Sequence, residues 1–146
     1  MTLIQTIQAI ERAANLQPSV SLIVRNDVFR LNTIPDAKYG VFAWTQQEHL
    51  LSGDLMIFSF SLFYVDRLAE DKGNEIEVQS VGVQTLTGIL RRLEVDGITV
   101  VGEPSFTTFN QRFADECAGV WCNVRLEVPA GWVCPDDTND IETNKS

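Results

Sequence analysis

The sequence predicts an α+β domain: a mostly antiparallel sheet with two main helices packed on one face, plus an N-terminal hairpin and a disordered acidic C-terminal tail. Three observations predict it. Apolar residues recur at helical spacing in residues 2–16 and again from Glu75 onward. Strict alternation marks two long strands, one within residues 54–65 and one within 113–128. The strand-like runs are neighbours along the chain, which favours antiparallel pairing over a doubly wound parallel fold.

In the opening helix, Leu3, Ile7, Ile10 and Ala14 share one face, while Gln5, Gln8, Glu11 and Arg12 stand elsewhere, and Pro18 closes the element. The β-type runs 20–24 and 28–31 flank Arg25-Asn26-Asp27, whose Asn and Asp suit a tight hairpin turn. Residues 32–38 read as loop, with Pro35-Asp36 as turn chemistry. Aromatic and β-branched residues predict a strand over 39–47, separated by Leu51-Ser52-Gly53-Asp54 from the longer strand. There Met56, Phe58, Phe60, Leu62 and Tyr64 form an unbroken apolar face that should meet a helix. The opposite face, with Ser59 and Ser61 at its middle, should be half solvated or in contact with another subunit.

Residues 66–74 read as a charged loop, after which the helical period places Val78, Val81, Leu86, Ile89, Leu90 and Leu93 toward the core. Gly82 and Gly88 weaken this helix by about 1 kcal/mol each relative to Ala, so they point to close packing. Gly97 ends it. Residues 98–101 predict a short strand, Gly102-Glu103-Pro104 breaks the chain, and residues 106–111 can be extended. In the final strand Val120, Cys122, Val124, Leu126 and Val128 lie on one face, and Trp121, Asn123, Arg125 and Glu127 on the other. Residues 1–135 are expected to form a single domain and 136–146, with Ile141 as their only large aliphatic, a flexible acidic tail.

The chain has 146 residues, 45% hydrophobic and 21% charged, enough for one core without a metal or disulfides. A net charge of −9 argues against gripping a nucleic-acid backbone or an anionic membrane surface, both of which need clustered Lys and Arg. No stretch is apolar for long enough to span a bilayer and the N-terminus lacks signal-peptide character, so a cytoplasmic origin is expected. Cys117, Cys122 and Cys134 are read as free thiols, and Asn144-Lys145-Ser146 as a meaningless match to a glycosylation acceptor.

Candidate chemistry is sparse. His49, the only histidine, reads as an exposed loop residue, because no serine or cysteine near it makes a nucleophile signature. Cys117 and Cys122 are five apart, so a regular strand would point them to opposite sides and away from a common metal ion. Residues 66–75 carry acids but lack the alternate-position ligands and central glycine of a calcium loop. Gly82 and Gly88 are not followed by the Lys of a phosphate-binding loop. Trp44, Trp121 and Trp132 suit core or interface positions. The expectation is therefore a non-enzyme with no cofactor and no catalytic residue, with a small-molecule-binding α+β domain, its pocket lined by Phe58, Phe60 and Tyr64, as the alternative.

Phe63-Tyr64-Val65-Asp66-Arg67-Leu68, the acidic turn Glu70-Asp71 with Asn74, and a helix beginning near Gln79-Ser80 carry a resemblance. So do Phe113-Ala114-Asp115-Glu116-Cys117-Ala118-Gly119-Val120-Trp121, the strand after it, and Cys134-Pro135. Over about residues 54–135 the chain resembles the neck and tail-completion (tail-terminator-like) proteins of tailed bacteriophages, such as the crAss-like and other phages of Bacteroidetes-type hosts. The resemblance implies a structural virion protein, made in the host cytoplasm. It would form a homo-oligomeric ring that joins portal-side and tail-side proteins around a channel, through which DNA passes without specific binding. It transfers no active-site residue. The loop residues Asp66, Arg67, Glu70, Asp71, Lys72 and Asn74, which join the clearest strand to the clearest helix with both signs of charge, are the candidate interface residues.

Overall fold

The structure, a computed structural model, describes residues 1–26, 40–68, 73–110 and 117–130. Helix α1 spans Leu3–Asn15 and is started by a capping box: the Gln5 amide donates to Thr2 Oγ1 at 3.1 Å and the Thr2 amide donates to Gln5 Oε1 at 2.9 Å. Its buried residues are Thr6, Ala9, Ile10, Glu11, Ala13 and Ala14. The face is thus rotated from the one expected. Leu3 and Ile7 pack only partly against the core, because the alanines let the backbone approach more closely than Leu or Ile would.

Seven strands follow among the described residues. They are β1 (Leu22–Arg25), β2 (Val41–Gln46), β3 (Leu50–Ser52), β4 (Leu55–Arg67), β5 (Thr99–Val100), β6 (Phe106–Asn110) and β7 (Cys117–Pro129). They form one sheet in the order β1-β2-β4-β7-β5, with β3 beside β4 and β6 beside β7. Every pairing is antiparallel except β1 with β2. The two long alternating segments, β4 and β7, pair with each other along their full lengths, from Leu55 opposite Pro129 to Arg67 opposite Cys117.

Two details differ from expectation. Leu50–Ser52 is a strand rather than part of a separator. Gly53, at φ +61°, and Asp54 form a two-residue turn that folds it back on β4, a conformation glycine adopts without strain. At the expected N-terminal hairpin, Asn26 takes a left-handed φ of 57°, and β1 lies parallel to β2; Asp27 and the second strand, 28–31, lie outside the described residues.

Helix α2 spans Glu75–Val95. It ends as the sequence predicts: Gly97, at φ +92°, donates to the Glu94 carbonyl at 3.1 Å, and Ile98 donates to the Leu93 carbonyl at 2.9 Å. Its buried face is Val78, Gly82, Thr85, Leu86, Ile89, Leu90 and Leu93. Val81, expected in the core, is 38% exposed. Gly82 takes the contact position instead, and the next residue back is turned away by one helical step. A Cβ on Gly82 would stand 2.8 Å from Val120 Cγ2, so the glycine sets how closely α2 lies on the sheet.

Both helices join one main core with Phe42, Trp44, Phe58, Phe60, Leu62, Tyr64, Val120, Cys122, Val124, Leu126 and Val128. The aromatic stripe of β4 therefore meets helices, as predicted, and Phe58, Phe60 and Tyr64 are packed core rather than pocket lining. On the other side of the sheet a smaller cluster joins Val24, Val41, Ala43, Phe63, Val65 and Cys117, with Phe109 and Trp121 packed against it. Among the described residues no helix covers that side, and none is long and apolar enough to cross a membrane.

Candidate functional site

Three of the predicted interface residues come together where β4 hands over to α2. Asp66 Oδ1 accepts from the Arg67 amide at 2.8 Å, and Asn74 Nδ2 donates to the Arg67 carbonyl at 3.4 Å. Asn74 stands at the N-cap of α2 without capping it. Arg67 is exposed, Asp66 and Asn74 half-buried. Glu70, Asp71 and Lys72 lie outside the described residues, as do Trp132, Cys134 and the tail 136–146. Below this corner, Leu68 and Val78 pack on Ala118 and fix the strand end to the helix start.

The helix-free face divides into two zones. Phe63 stacks on Trp121 with ring centroids 6.3 Å apart and belongs to the apolar zone. Next to it, Ser61 and Asn123 sit opposite each other on β4 and β7. Ser61 Oγ donates to Asn123 Oδ1 at 2.6 Å, and Gln47 Nε2 donates to the same oxygen at 2.9 Å. This network accounts for a buried serine in a hydrophobic strand: its hydroxyl is satisfied from both sides. A cleft of about 410 Å³ adjoins it, lined by Gln47, Ser59, Glu103, Trp121, Asn123 and Arg125 among others. A second cleft, about 330 Å³, opens on the helix side between α2 and β5–β6, where Leu90, Val100 and Phe106 make an apolar floor and Arg91 stands at the rim.

His49 is not an exposed loop residue. It is half-buried between β2 and β3, where Nδ1 accepts from the Ser59 amide at 3.2 Å, Nε2 pairs with Gln46 Oε1 at 3.0 Å, and the ring meets Phe58 edge-on. The imidazole takes the place of a strand partner where β2 ends. Cys117 and Cys122 are buried on opposite faces of the sheet, as their spacing predicts. Burial pushes the Cys122 thiol up to about 12. Burial, with the nearby Asp66 charge and a hydrogen bond to it adding, likewise pushes the Tyr64 phenol up to about 12. Among the described residues no three His, Cys, Asp or Glu side chains gather as a metal site.

Sequence reasoning missed Glu11. Only 8% exposed, it accepts from Arg25 through both guanidinium edges, at 2.7 and 2.8 Å, and from Trp44 Nε1 at 2.9 Å. The available signal was position: Glu11 lies four residues after Ile7 and three before Ala14, inside the stripe that packs. Every contact it makes is internal, so it clamps α1 to the sheet edge rather than presenting a ligand site. Among the described residues, no helix covers the helix-free face and no further strand pairs with the sheet edges, and the Asp66–Arg67–Asn74 corner reaches the surface. Compared with known protein families and with curated proteins, the chain matches none.

Proposed function

We propose that the chain is a structural subunit, not an enzyme, that closes into a homo-oligomeric ring in the neck or tail of a tailed bacteriophage. There it would act as a head–tail connector or tail terminator between portal-side and tail-side proteins. The observation that carries this reading is the one-sided architecture: both helices pack on the same face, and the opposite face carries Phe63, Trp121, Ser61 and Asn123 with no helix over them among the described residues. A sheet of this kind is a surface for association. The resemblance over residues 54–135 supplies the phage context; of the residues that carry it, 63–67 fall on β4, Gln79 and Ser80 on α2 and 117–121 on β7, while Glu70, Asp71, 113–116, Cys134 and Pro135 lie outside the described residues.

The charge of −9 fits a channel that DNA traverses, since acidic walls repel the backbone and basic ones hold it. Negative-stain imaging of the purified chain tests the reading. Rings with a central hole support it, and a field of isolated small particles at every protein concentration refutes it.

A further inference from the structure

Across the sheet, one row of residues runs Leu50–Ile57–Glu127–Thr99, from β3 at one lateral edge to β5 at the other. Two strand edges therefore end at the same level on opposite sides of the subunit, each without a strand beyond it among the described residues. β3 is antiparallel to β4, and β5 is antiparallel to β7, which is itself antiparallel to β4. A second copy placed alongside with its sheet facing the same way would thus bring its β3 antiparallel to β5 of the first.

The side chains at the two edges match. β3 exposes Leu50 and Leu51, at 49% and 63%, on alternate faces of an open strand edge of the kind soluble monomers avoid, and Leu51 is the apolar knob. Leu51 lies opposite Met56, on the helix side of the sheet. The 330 Å³ cleft beside β5 is also on the helix side, floored by Leu90, Val100 and Phe106. Exposed Glu48 and Asp54 flank the knob, while at the cleft Arg91 pairs with Glu94 at 3.6 Å and Glu103 lines the wall, so the match between the two edges is apolar and not ionic.

We propose that β3 of one copy extends the sheet of the next by pairing with β5 two residues out of the shared row, Leu51 opposite Val100, so that Leu51 is seated in the cleft between α2 and β5–β6. The contact is head-to-tail, so each copy offers one knob and one cleft, and repetition generates a closed ring or an open filament. This deepens the ring reading and rests on it only for closure.

The test uses the full chain with two surface variants, Leu51→Asp in the knob and Thr87→Trp in the cleft wall, followed by sedimentation and by thermal melting. Each is expected to melt as the parent does and to weaken self-association by about ten-fold or more, as loss of a central apolar anchor does. An equimolar mixture of the two is expected to form a dimer and stop there, because Leu51→Asp keeps its cleft and Thr87→Trp keeps its knob. If the parent assembles and both variants assemble equally well, the junction is overturned while the ring reading stands. Variant-sensitive filaments support the junction and overturn the ring. A parent that remains monomeric up to millimolar concentration overturns both.

Discussion

Glu11 of α1 holds Arg25 of β1 in a two-point ion pair, Nε to Oε2 at 2.7 Å and Nη2 to Oε1 at 2.8 Å, and the same carboxylate receives the Trp44 indole. Two partners of unlike burial share one anion: Arg25 is 70% exposed and Trp44 4%. Glu11→Ala is expected to cost about 2 kcal/mol, chiefly because it strands the buried indole donor. Arg25→Ala should cost about 1 kcal/mol or less, since an exposed guanidinium returns to water. Urea denaturation of both variants checks the order; equal losses would mean that the ion pair, not the indole, dominates.

The two glycines of α2 are expected to respond oppositely to alanine. At Gly82 a Cβ would meet Val120 Cγ2 at 2.8 Å and Tyr64 Cδ2 at 3.1 Å, atoms fixed in the core. Overpacking of about 1–3 kcal/mol should exceed the helix gain of about 1 kcal/mol. At Gly88 the nearest atoms belong to the end of the Gln17 side chain, which can swing away. Gly82→Ala should therefore lower the melting temperature and Gly88→Ala hold or raise it.

Alkaline stability follows from two raised acids. Cys122 and Tyr64 ordinarily lose their protons near 9.0 and 10.0, and in the fold both are pushed up to about 12. Between those values the unfolded chain binds fewer protons than the folded one, so stability is full below pH 9 and falls as pH rises toward 12. Cys122→Ala should delay the onset by about one pH unit, to where Tyr64 begins to titrate unfolded. Denaturation midpoints from pH 7 to 11 give the comparison. An onset unchanged by the substitution would assign the loss to other groups.

The charge reversal Arg67→Glu with Lys72→Glu tests the Asp66–Arg67–Asn74 corner. Rim ion pairs contribute about 0–1 kcal/mol each, so the double variant is expected to fold normally and to assemble less efficiently, with a deficit that shrinks as salt rises. Assembly equal to the parent at every salt concentration would show that the corner is only solvated.

Most of the frame was legible because its signals are periodic. The alternation in β4 and β7, the spacing in α2 and the Gly97 stop each reflect one rule that burial obeys along a whole element. The misses are single positions where a tertiary contact decides. Val81 lost its place to Gly82, because a missing side chain let two elements approach. His49 gained a place because its ring nitrogen fits the amide of Ser59 where β2 ends. Glu11 is buried because two distant donors, on β1 and β2, converge on it, and no local pattern in α1 announces them. The candidate interface was legible only as a charged loop; the sheet edges emerged once the register put Leu50 and Thr99 in one row.

The central claim is that this chain is a ring subunit, and its mass in solution tests it most directly. Native mass spectrometry across a concentration series should give one closed species, an integer multiple of the chain mass, that dissociates to monomer on dilution without passing through a ladder of ever larger forms. A single-chain mass throughout, or an unbounded ladder, would contradict it.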